Sequence, residues 1–82
     1  MSLIQYKTYQ TVTDNSEGKF KLTWEKLRQE ALDKLNNDIV VHAEKILSIA
    51  ENLSIEDIRP RMDNSSSWYQ KRIFTLKVYY YN

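Results

Sequence analysis

The sequence predicts a small α+β domain: a three-stranded antiparallel sheet in the order β-α-β-β, with its helical part on one face. Three observations predict it. The aromatic residues, two Trp, six Tyr and two Phe, all lie outside positions 25–67. Positions 24–53 contain neither glycine nor proline, and from Trp68 to Tyr81 the apolar pattern switches to a period of two. Aromatic and β-branched side chains suit a pleated surface, whereas Leu, Ala, Glu and Lys lose little rotamer freedom in a helix. The ends therefore read as strands and the middle as helix.

The first strand comes from the N-terminal segment, where Ile4, Tyr6, Thr8 and Val12 share one face and Gln5, Lys7, Tyr9 and Thr11 the other. Asp14–Gly18 is a cluster of turn-forming residues that ends it. Lys19–Leu22 alternates as well and is read as a short added strand. Thr23 is placed to cap a helix whose inner face carries Trp24, Leu27, Ala31 and Leu35, and Glu30 with Lys34 is spaced to support its outer face. Ile39, Ala43, Ile46, Ala50 and Leu53 continue the spacing almost in phase, so the helical segment is read as extending to 53, as one helix or as two. A continuous helix of ~30 residues would be ~45 Å long, more than a small sheet can cover. A break at Asn36–Asp38 is therefore preferred, with Asp38 capping the second piece.

Ser54–Arg61 then pairs back with the final strand as a long-looped hairpin across Pro60 and the polar segment 63–67. In the final strand Phe74, Leu76, Val78 and Tyr80 form one face and Ile73, Thr75, Lys77, Tyr79 and Tyr81 the other. A right-handed crossover followed by a hairpin puts this strand in the centre, in the order first-last-second. Helices on one face leave the other uncovered. Tyr9, Ile73, Tyr79 and Tyr81 are the residues assigned to that uncovered face, and they form a candidate interface.

At 82 residues the chain fits one domain spanning 1–82, and so small a core is thinly stable unless a partner contributes. The absence of cysteine excludes disulfides and thiolate metal sites, and a single histidine excludes a histidine-rich one. A net charge of +1 is no signature of nucleic-acid or membrane binding, and no apolar run approaches a membrane span. The N-terminus carries no signal-peptide pattern, so a cytoplasmic address is the expectation.

Little catalytic chemistry is legible. Phosphate loops and nucleophile elbows need several glycines, and the chain has one. His42 falls within an apolar stretch read as helix, and Glu56–Asp57 on a strand point to opposite faces. No catalytic, metal or cofactor residue is assigned, and the expectation is a protein that is not an enzyme. One polar constellation remains: Arg59 and Arg61 on one arm of the hairpin against Lys71 and Arg72 on the other, beside Trp68. Cations next to aromatics can clamp phosphate and stack on a base, which gives an alternative reading as a nucleic-acid or nucleotide binder. Charges that keep an outer strand from aggregating are the favoured explanation.

In layout, Tyr6–Lys7 in a first strand, Thr23–Glu25 opening a helix and Thr75–Val78 in a last strand resemble the dodecins, small flavin-binding β-α-β-β assemblies. That family stacks flavin on an aromatic of its middle strand, and Ser54–Arg61 contains none, so the resemblance carries over no flavin site. The leading expectation is an interaction or assembly protein that forms a homo-oligomer, a dimer or higher, through the tyrosine-rich face. A different protein partner is left open, nucleic acid is the less favoured partner, and no membrane contact is expected.

Overall fold

The computed structural model describes residues 3–59 and 68–81. Its elements run β1 (Ile4–Asp14), α1 (Trp24–Asn36), a short 3-10 turn (Ala43–Lys45), β2 (Ile46–Ile58) and β3 (Tyr69–Tyr81). The three strands form one sheet in the order β1-β3-β2, with β3 antiparallel to both neighbours. This is the α+β architecture and strand order that the sequence predicts. Arg61 and the polar segment 63–67 lie outside the described residues.

The central strand explains the core. Phe74, Leu76, Val78 and Tyr80 of β3 are buried on the α1 side, as their alternation requires. Leu27, Ala31 and Leu35 of α1 bury against them, with Trp24, Leu32, Leu22 and Ile46 packed at the margins. Thr23 caps the helix, its hydroxyl accepting from the Lys26 N–H at 3.2 Å. Inside the interface the Thr11 hydroxyl donates to the Leu27 carbonyl at 2.8 Å, a buried tie between β1 and α1 worth about 1 kcal/mol. Lys34 does not pair with Glu30. Its ammonium reaches over β1 and donates to the Gln10 carbonyl at 2.8 Å.

Two expected elements are absent. Lys19–Leu22 is not a strand but part of the connection from β1 to α1. Gly18 turns this connection at a φ of 104°, a conformation that side chains disfavour, and its N–H donates to the Asn15 carbonyl. The second correction is larger. Helix α1 is a single unbroken helix that stops at Asn36, and 46–53 is not helical but the first part of β2. The stop is where Asn36–Asp38 suggested, yet Asp38 caps no second helix. Its Oδ1 instead accepts from the Val40 N–H at 2.9 Å, turning the chain locally. Beyond it Ile39–Val41 leaves the helix period, with Val41 buried in the core and Ile39 exposed. His42 accordingly sits exposed in a connection, not within a helix. The backbone of 46–58 takes its hydrogen bonds from β3, whose second edge would otherwise stay unpaired.

Asp38 also fixes this connection to β1. Its Oδ2 receives the Tyr9 hydroxyl at 2.7 Å and the Lys7 ammonium. Those bonds from Lys7 and Tyr9, with the one from Val40, hold the Asp38 carboxyl down at about 2. Burial, then the bond to Asp38 and its charge, push the Tyr9 phenol well above its usual range. The signs are opposite. A depressed carboxyl contributes stability that is complete above its unfolded pKa of ~3.9 and is lost as pH falls toward 2. A raised phenol contributes stability that is complete below ~10 and is lost as pH rises beyond it. Asp38→Asn should therefore lower the melting temperature at pH 7 and flatten the acid limb of the stability profile between about pH 4 and 2. Thermal melts of both proteins across that window check this, and parallel acid limbs would contradict the role given to Asp38.

Candidate functional site

Residues directly opposite each other across an antiparallel pair share a face, so the register assigns every side chain of the sheet. Tyr9 stands opposite Leu76, on the α1 side, and is only 7% exposed. Its assignment to the uncovered face is corrected. The β1 residues that do lie there are Ile4, Tyr6, Thr8, Gln10 and Val12, opposite Tyr81, Tyr79, Lys77, Thr75 and Ile73. Strand β2 adds Ser48, Ala50, Asn52 and Ser54. The other three residues assigned to the surface, Ile73, Tyr79 and Tyr81, are on it. Among the described residues no helix covers it.

This face is graded along its length. At one end Tyr6 and Ile4 are about 60% exposed beside Tyr81, while Tyr79 is half-buried. The Tyr6 and Tyr79 rings stand 6.1 Å apart at a tilt of 51°. The Lys77 ammonium lies over both, 4.3 Å from the Tyr6 centroid and 5.2 Å from that of Tyr79. A cation over a ring face is attracted by the ring's quadrupole, and here one lysine lies within reach of two tyrosines. The middle is polar, with Gln10 donating to the Thr75 hydroxyl at 3.2 Å. Val12 and Ile73 follow, and then Lys71, whose opposite residues on its two neighbours are Asp14 and Glu56.

The hairpin constellation does not converge. Lys71 is on the open face, between acidic partners, while Arg72 lies on the α1 side. The Arg72 guanidinium is stacked 3.9 Å from the Phe20 centroid and 5.4 Å from that of Trp24, where it closes the core at the start of α1. Arg59 stands 6.0 Å from the Trp68 ring, and both are exposed. Among the described residues these two are the pair that stays together, and Arg61 lies outside the described residues. Glu56 and Asp57 point to opposite faces, toward Lys71 and Gln70. Among the described residues no group of three or more His, Cys, Asp or Glu side chains is placed to hold a metal ion, and no helix is long and apolar enough to cross a membrane.

Sequence reasoning missed Ile4 and Tyr6 as surface residues, although the alternation that separates Tyr6 from Tyr9 was visible. It also missed an apolar stripe on β2. Ile49, Leu53 and Ile55 stand opposite Val78, Phe74 and Arg72, on the α1 side, yet remain 43%, 52% and 58% exposed. The helix packs over β1 and β3 and reaches β2 through the Arg28 guanidinium, which pairs with Glu51 between Ile49 and Leu53. No family model matches the chain, and searches of curated proteins and of solved structures return no similar protein.

Proposed function

We propose that this chain is a non-enzymatic interaction and assembly module of the cytoplasm, and that it self-associates through the open face of its sheet. The observation that supports this is the aromatic end of that face, where Ile4, Tyr6 and Tyr81 are exposed around Tyr79. Tyrosine offers large apolar area at low conformational cost and keeps a hydroxyl for hydrogen bonding, which suits it to an interface. Lys77, held over the rings, leaves the patch amphipathic, and the polar middle band can pair with its own copy through hydrogen bonds. A contact built this way is wet and selective in register.

Sedimentation of the purified protein across concentrations tests the proposal. The mass is expected to rise above the 9.8 kDa of one chain. Replacing both Tyr6 and Tyr79 by serine should weaken association by roughly tenfold or more, as truncating central aromatic anchors does. A mass that stays at that of one chain, or an association indifferent to both substitutions, would end this reading.

A further inference from the structure

The geometry points to β2 as a second, separate interface, on which the β2 edge of another copy of this chain pairs antiparallel about a two-fold axis at Asn52. Strand β2 is an edge with β3 on one side, and among the described residues nothing covers its apolar stripe on the α1 side. Natural sheets blunt such edges with charges, lysine above all, with proline, with bulges or with a covering element, and β2 carries only the carboxylates Glu51, Glu56 and Asp57. The other edge is treated so, because Lys34 of α1 donates to the Gln10 carbonyl of β1. Positions 46–58 contain no lysine, proline or glycine. Their one irregularity is a bulge between Ile46 and Ser48, at the end of the strand.

The sequence of β2 says what fits there. About an axis at Asn52, Ile49 of each copy faces Ile55 of the other, Ala50 faces Ser54, and Glu51 faces Leu53. No like charges oppose one another, and Glu51 is already paired to the Arg28 guanidinium at 2.5 Å. Moving the axis to Glu51 sets two carboxylates against each other. Moving it to Ser54 opposes Glu51 to Asp57, and moving it to Leu53 gives up the Ile49–Ile55 pair and sets both isoleucines against carboxylates, Asp57 and Glu51. Helix α1 of another copy is a poor cover for the stripe, since its outer surface carries Glu25, Arg28, Glu30, Asp33 and Lys34 and its apolar side is spent on its own sheet. The product is a continuous six-stranded sheet with both helices on one side and the two stripes meeting between them.

The chain contains no cysteine, which makes introduced thiols unambiguous. Two variants, Ile49→Cys and Ile55→Cys, are each prepared with Tyr6→Ser and Tyr79→Ser, so that open-face association does not enter. Residues directly opposite across an antiparallel pair have Cα atoms ~4.5 to 5.5 Å apart, within disulfide range. Mild oxidation of the mixture should give a covalent dimer several-fold faster than either variant alone, and adding Leu53→Glu to both, which sets a second carboxylate against Glu51 of the other copy, should abolish it while circular dichroism stays unchanged. No cross-link in the mixture, or equal cross-linking in the mixed and single samples, overturns the inference. Neither result bears on the open face, which lies on the opposite side of the sheet from positions 49 and 55.

Discussion

Phe74→Ala is expected to leave the chain largely unfolded at 37 °C. Phe74 is 2% exposed in the middle of the central strand, flanked in register by Thr11 on β1 and Leu53 on β2. Truncating a buried phenylalanine costs ~3 to 5 kcal/mol, from lost transfer energy and from the cavity left behind. A domain of 82 residues has only ~4 to 12 kcal/mol in total. Relaxation offers little relief, because strands on both sides of β3 are held by its own hydrogen bonds and cannot close onto the void. Leu53→Ala, made at the half-exposed cross-strand neighbour, should cost under ~1 kcal/mol by the same area argument. Urea titrations followed by circular dichroism compare the two, and a Phe74→Ala midpoint within experimental error of the parent's would mean that the core is not where the structure puts it.

Leu27→Ala should come next, at ~2 to 5 kcal/mol. Its side chain is fully buried, and its backbone carbonyl receives the Thr11 hydroxyl. A helix of 13 residues is marginal by itself in water, so α1 persists because this inner face is packed. Weakening the packing should therefore remove the helix and the sheet together. The expected signature is one cooperative transition at lower urea, with the signals of helix and strand moving in step. Helical signal that survives after the strands have melted would contradict the view that packing sustains α1.

The period of the side chains was informative wherever one neighbour decided the outcome. The inner face of α1 was legible because Leu27, Ala31 and Leu35 recur at helical spacing, and Thr23 marks its start. The two faces of β3 were legible because a buried central strand must alternate with the pleat. The segment 39–53 was misread because its apolar residues satisfy both periods. Ile39, Ala43, Ile46, Ala50 and Leu53 recur at helical spacing, while Ile49, Leu53 and Ile55 line one face of a strand. Local preference was nearly balanced there, and pairing with β3 decided it. The open face was half legible for a related reason. Alternation put Tyr6 and Tyr9 on opposite faces of β1, but nothing local says which of them a helix will cover.

By itself the sequence determined the α+β class, the strand order, the start of α1 and the split of β3 into a core face and a tyrosine face. Each follows from side-chain period, capping chemistry or the handedness of a crossover, which act over a few residues or on the whole chain alike. Only the tertiary structure decided that β2 begins at Ile46, that Tyr9 turns inward to Asp38, and that Arg72 is spent between Phe20 and Trp24. These depend on which groups meet across long stretches of chain. A backbone segment with two acceptable conformations takes the one whose hydrogen bonds a distant strand completes, and a single helix leaves exposed whatever part of the sheet lies beyond its width.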